Sequence, residues 1–124
     1  MEDIVLKDIV EVLFDNKAND IVYVDVSNVN PLTNYYIICS ASSSRQANAL
    51  AKYADDVLTK HNITTKHIEG NAQSEWILLD GNDYIVHIFV NEARYKYNLE
   101  KMWPELKFIK ENESIVNCRN EKRT

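Results

Sequence analysis

Residues Trp76 to Val90 read WILLDGNDYIVHIFV, and the fold turns on how they pair. Two apolar runs, Trp76–Leu79 and Tyr84–Phe89, flank Asp80-Gly81-Asn82-Asp83. Glycine at the first central place of a two-residue loop is the signature of a type II′ hairpin turn. Gly81-Asn82 as the loop sets Asp80 opposite Asp83, Leu78 opposite Ile85 and Trp76 opposite His87. Side chains alternate along a strand. One face then carries Trp76, Leu78, Asp80, Asp83, Ile85, His87 and Phe89. The other carries Ile77, Leu79, Tyr84, Val86 and Ile88. The second face is almost purely aliphatic and is expected to lie on helices. The first mixes aromatics, a histidine and two carboxylates, which makes a poor core and a good contact surface. Its bland alternatives are core for Trp76 and Phe89, and turn chemistry for Asp80 and Asp83.

Upstream, Lys66–Glu69 reads as a short strand ending at Gly70. Ser43 with Gln46 fits a capping box, in which the hydroxyl takes a backbone amide and the long side chain reaches back. Ala47, Leu50, Ala51, Ala54, Val57 and Leu58 then recur at helical spacing through about His61. Tyr35–Ser40 is a continuous apolar strand, expected at the centre of the sheet because both faces are apolar. Ile21–Val26 alternates, with Val22, Val24 and Val26 on one side and Ile21, Tyr23 and Asp25 on the other. Glu2 to about Asn16 predicts a helix with Val5, Ile9, Val12 and Leu13 on one stripe. Downstream, Asn91–Met102 reads as helix, limited by Pro104. Arg94 and Tyr97 share one face of it. The order helix, two strands, helix, three strands, helix describes an α/β fold: a small mixed sheet of about five strands with packed helices. The link from Ser40 to Lys66 is long enough for a helical crossover between parallel strands.

The chain of 124 residues is one domain by length. It is 45% hydrophobic and 27% charged, ordinary for a globular protein. No apolar run approaches the roughly 20 residues of a membrane span. The start, MEDIVLKDIV, lacks a basic lead-in and cleavage site, so no signal peptide is expected and the cytoplasm is the expected location. Cys39 and Cys118 form no C-x-x-C pair, and Cys39 in its apolar run is expected as a buried thiol. Fourteen Lys and Arg against nineteen Asp and Glu leave a net charge of −5. Binding to a phosphate backbone needs concentrated basic residues. Here they are scattered, with a small group at Arg119, Lys122 and Arg123. Little direct nucleic-acid contact is expected, and a basic protein partner suits the charge better.

Set in order, the motifs resemble the ribosomal silencing factors, the RsfS or Iojap family. That family carries E-G, then W-x-L-x-D, then D with an apolar run ending in H-x-F, then E-x-R-x-x-Y and L-E-x-x-W. The matches are Glu69, Gly70, Trp76, Leu78, Asp80, Asp83, Val86, His87, Phe89, Glu92, Arg94, Tyr97, Leu99, Glu100 and Trp103. They lie within a resemblance running from about Ile4 to Trp103. No one piece is diagnostic; the ordered set is specific. This chain departs from the pattern in its turn, Gly81-Asn82 where the family has an aromatic then glycine. It also has Thr33-Asn34 where the family opens a strand with Ala-Asp, and Ser40-Ala41 in place of Thr-Gly.

The resemblance implies a silencing-factor domain over residues 1–103. Residues 104–124 form a C-terminal extension, weakly structured or packed on the domain. It implies a nucleotidyltransferase-like topology and a non-enzymatic translational repressor that needs no cofactor. The implied partner is the large ribosomal subunit, through its fourteenth ribosomal protein, with joining of the small subunit blocked. A homodimer is also implied. The hairpin face would supply the contact, with Trp76 and Leu78 as apolar anchors and Asp80 and Asp83 as partners for basic residues. His87, Phe89 and Arg94 would shape the patch.

The fold raises an alternative, a nucleotide-binding or nucleotidyltransferase enzyme. Ser42-Ser43-Ser44 opens a helix whose amides could hold an anion. However, that chemistry also needs carboxylates two apart on a strand, and Asp80 and Asp83 are three apart across a turn. His67-Ile68-Glu69 has the His and Glu of a zinc deaminase without its Pro-Cys-x-x-Cys helix. His61, His67 and His87 lack paired ligand spacing, so no metal site is expected. A third reading is an oligomerising scaffold that buries the hairpin face in a dimer.

Overall fold

The structure is a computed structural model. It describes residues 3–28, 30–70, 75–91 and 93, and the backbone of 109–110. In chain order the elements are α1 (Ile4–Asp15), β1 (Asn19–Asp25), β2 (Tyr35–Ala41), α2 (Ser44–Lys60), β3 (His67–Glu69), β4 (Trp76–Asp80), β5 (Tyr84–Val90) and β6 (Ile109–Lys110). The strands form one mixed sheet in the order β3-β4-β5-β2-β1-β6. β2 and β5 run parallel at its centre, and the other neighbours are antiparallel. Five strands were expected; the sixth is two residues long, comes from the stretch after Trp103, and pairs with β1. The expected helix over Asn91–Met102 lies outside the described residues apart from Asn91 and Ala93.

Both helices cover one face of the sheet. Leu6, Ile9, Val10 and Leu13 of α1 and Ala47, Leu50, Ala51, Ala54 and Leu58 of α2 pack there. They meet Ile21, Tyr23, Ile37, Cys39, Ile77, Leu79, Val86 and Ile88 from the strands. Alanines along α2 let the helix approach the sheet closely, and β-branched residues fill the pleats beneath it. The stripe on α1 is rotated from the expected one. Leu6 and Val10 are fully buried, while Val5 and Val12 lie at its margin.

The helix ends explain where the elements start and stop. Asp3 caps α1 by accepting the amides of Val5 and Leu6 at 3.0 and 3.1 Å. The Tyr84 hydroxyl donates to both Asp3 carboxylate oxygens, at 2.9 and 2.7 Å, and so ties the cap to β5. Burial, first, and the neighbouring Asp3 carboxylate push the Tyr84 hydroxyl's pKa well above its ordinary value. At α2, Ser43 Oγ accepts the Gln46 amide at 3.1 Å, as the capping box requires. Gln46 Oε1 reaches back one residue further than expected, to the Ser42 amide (2.7 Å) and hydroxyl (2.8 Å). Its Nε2 donates to the carbonyls of Asn16 and Lys17, joining the start of α2 to the end of α1. Both helices close through a residue of positive φ, Lys17 at 67° and Asn62 at 62°, followed by an amide returning to the helix. That is the Schellman arrangement.

The hairpin departs from its expected register. Trp76 pairs with Phe89, Leu78 with His87 and Asp80 with Ile85. Gly81 N–H donates to the Tyr84 carbonyl at 2.9 Å, so the two-residue loop is Asn82-Asp83. Asn82, at φ 73°, takes the positive-φ position expected of Gly81. Asparagine tolerates that region. Gly81 is needed for space instead: a Cβ there would stand 2.6 Å from Leu58 Cδ1. Because the pairing slides by two residues, every strand side chain keeps its expected face. Only Asp83 leaves the strand for the loop.

Candidate functional site

The sheet face away from the helices is ordered by the strand registers into rows. One row runs His67, Asp80, Ile85, Tyr36 and Val24 across β3, β4, β5, β2 and β1. The next runs Glu69, Leu78, His87, Ile38 and Val22. The third sets Trp76 beside Phe89 and Ser40. Neighbours in a row stand about 4.5–5.5 Å apart at their Cβ atoms, so each row is a continuous strip of contact.

Burial sorts these residues by role. Val22, Ile38, Phe89 and Ala93 form a second, smaller core cluster with Trp76 packed against it. Phe89 is 0% exposed and His87 5%. The sequence reading placed both among the contact residues; in the structure they lie beneath the surface. Trp76, Leu78, Asp80, Ile85 and Tyr36 are half-buried, and His67 and Glu69 at the β3 edge are exposed. Tyr36 therefore adds to a face that, from the hairpin alone, already included Ile85. Alternation identifies Ile85 as a member of the face. Tyr36 joins it only through the parallel register of β2 on β5, which no local pattern encodes. Arg94, also expected here, lies outside the described residues.

An aromatic assembly organises this face. The Trp76 ring tilts against Phe89, with centroids 5.1 Å apart, and against His87 at 5.7 Å. The Tyr36 ring meets His87 edge-on at 5.1 Å and 78°. Trp76 Nε1–H donates to His87 Nδ1 at 3.2 Å. An imidazole nitrogen that accepts carries no proton, so His87 is neutral with its proton on Nε2. Burial enforces the same state and lowers the His87 pKa to about 4. His87 Nε2 is buried without a hydrogen-bond partner among the described residues. Asn30 Nδ2 donates to the Tyr36 hydroxyl at 3.1 Å, holding that ring from the loop side.

The carboxylates sit at the rim. Asp80 Oδ1 accepts the Asn82 amide at 2.9 Å, a turn-stabilising bond. Asp83 is exposed at the hairpin tip, where its carbonyl accepts the amides of Asn34 and Tyr35. His67 Nε2 and Glu69 Oε1 lie within hydrogen-bond distance, at 2.9 Å, exposed on one face of β3. The serines before α2 are engaged in its cap. Among the described residues, no group of three or more His, Cys, Asp or Glu side chains is placed to hold a metal ion. Among them, too, no helix is long and apolar enough to cross a membrane. The face is thus an aromatic and aliphatic patch rimmed by acid, suited to receiving a partner's surface.

Comparison with known proteins agrees with the motif reading. Residues 2–124 match the family described as RsfS, ribosomal silencing factor during starvation. A ribosomal silencing factor RsfS of Bacillus subtilis is 35% identical over 89 residues, covering 72% of this chain and 75% of the relative. That of Haemophilus influenzae is 38% identical, covering 77% of this chain and 93% of the relative. A more distant relative is the mouse mitochondrial assembly of ribosomal large subunit protein 1, 29% identical over 77% of this chain and 43% of its own length. A crystal structure of a Chromobacterium violaceum protein superposes with a TM-score of 0.75 at 32% identity, covering 81% of this chain and 83% of that one. One from Bacillus halodurans gives 0.72 at 31% identity, covering 84% and 94%. With the whole described fold and its motif set accounted for, the chain belongs to the ribosomal silencing factor (RsfS) family.

Proposed function

We propose that this chain acts in the cytoplasm as a translational repressor. It docks on the large ribosomal subunit and keeps the small subunit from joining. The observation that supports this reading is the outer sheet face. In a member of a silencing-factor family, it offers Trp76, Leu78, Ile85 and Tyr36 as an apolar patch with Asp80 and Asp83 at its rim. Aromatic residues are favoured anchors of protein interfaces. A basic ribosomal protein, the fourteenth of the large subunit, meets the rim carboxylates and the net charge of −5 with opposite charge. Arg94 extends the patch on the same reading. A relative named for assembly of the ribosomal large subunit points to the same partner. The mechanism is occupancy: a bound domain fills the space where the other subunit docks, and no catalytic step or cofactor is required. A homodimer is compatible with it, and sedimentation equilibrium of the free protein measures that separately.

Sucrose-gradient sedimentation of purified subunits with the added protein tests the proposal. Wild type comigrates with the large subunit and reduces joined ribosomes. Leu78→Arg, which sets a cation in the middle of the patch, loses both effects while remaining folded by circular dichroism. Absence of comigration by wild type at low and moderate salt refutes the reading.

A further inference from the structure

Buried polar atoms in folded proteins are almost always hydrogen-bonded, so one without a partner calls for a reason. Among the described residues, His87 Nε2 is such an atom, in the middle of the face just described. Phenylalanine would fill a similar space without that cost. What histidine adds is Nδ1, an acceptor aimed at the indole N–H of Trp76 at 3.2 Å. The same ring takes the edge of Tyr36 on another strand. His87 therefore touches two half-buried aromatic rings, one on β4 and one on β2, that have no pairing register with each other. An indole has two side-chain torsions, and its packing on Phe89 constrains them without a directional bond. The hydrogen bond at its edge adds that direction.

The geometry points to His87 as a positioning residue for the partner-binding face: it locks the Trp76 indole and sets its placement relative to Tyr36. This rests on the reading that the face docks on the large subunit. His87 itself makes no contact with the partner, being buried. Its contribution is preorganisation: side chains already held in the bound orientation lose less freedom on docking. The chain Asn30, Tyr36, His87, Trp76, Phe89 thus runs from a loop through three strands as one aromatic assembly.

The test compares wild type, His87→Phe, Trp76→Phe and the double variant. Binding to purified large subunits is measured alongside thermal unfolding and the Trp76 indole proton resonance of the free protein. His87→Phe is expected to fold with unchanged or higher thermal stability, since the unpartnered Nε2 is removed. The indole proton should lose its protection from exchange. Affinity should fall by up to about tenfold, the cost of ordering one side chain on docking. Trp76→Phe should also weaken binding, and the two losses should be non-additive, because each breaks the same link. Unchanged affinity in folded His87→Phe overturns the proposal. If His87→Phe does not fold, a Trp76→Phe protein that binds like wild type overturns it instead. If wild type does not bind large subunits at all, it is the docking reading that fails, and the protected indole proton still reports whether His87 holds Trp76.

Discussion

Lowering the pH should destabilise this protein through one buried side chain, and by an amount the structure sets. His87 has an ordinary pKa of 6.5 when exposed and about 4 when folded, because burial disfavours its charged form. Between those values the unfolded chain binds a proton that the folded chain refuses. Stability from this group is therefore fully present above about pH 6.5 and is lost as the pH falls toward about 4. At pH 5 the two states differ in proton occupancy enough to shift the folding constant about thirtyfold, or about 2 kcal/mol. At pH 7 the same term is about 0.2 kcal/mol. For a chain of this size, the change corresponds to roughly 8 °C in Tm. Urea unfolding of wild type and His87→Phe at pH 5, 6 and 7 isolates the effect, because other titrating groups contribute alike to both. Wild type should lose about 2 kcal/mol more than the variant between pH 7 and 5. Parallel pH profiles would refute the reasoning, and with it the claim that His87 is held neutral beneath Trp76.

Three further outcomes follow from the packing. Gly81→Ala should cost about 1–3 kcal/mol, since its Cβ would press on Leu58; chemical denaturation measures it, and the same change should cost less when made in a Leu58→Ala background than in wild type. Lys17→Gly should raise stability by about 0.5–1 kcal/mol by relieving a lysine held at φ 67° at the end of α1; a lower Tm would contradict this. Phe89→Ala should cost about 3–5 kcal/mol as a cavity opens in the second core, whereas Leu78→Ala, half-buried on the outer face, should cost far less in thermal unfolding and more in subunit binding.

Much of this architecture is legible in the chain itself, for local reasons. Alternation along Trp76–Asp80 and Tyr84–Val90 separates an aliphatic face from a mixed one, and the sheet obeys it. Apolar spacing in α2 marks the buried stripe, and Ser43 marks its start, because caps and periodicity depend only on residues a few positions away. The ordered motif from Glu69 to Trp103 identifies the family for the same reason: it is read along the chain.

Other features depend on contacts between distant segments, and the structure alone supplies them. The loop is Asn82-Asp83 rather than Gly81-Asn82, and Gly81 lies where a Cβ would collide with Leu58 of α2, a constraint invisible in the hairpin. Asp83 moves to the tip, and Asp80 is left alone on the strand face. Tyr36 enters the site because β2 lies parallel to β5 in a register that sets Tyr36 beside Ile85 and Ile38 beside His87. Alternation places His87 and Phe89 on the mixed face; packing buries both. The sequence by itself determines which side of each strand a residue occupies and which family the chain resembles, since both follow from near neighbours. Which residues of that side stay exposed, and which are covered, was decided only by tertiary packing, because burial is a property of what the rest of the chain lays alongside.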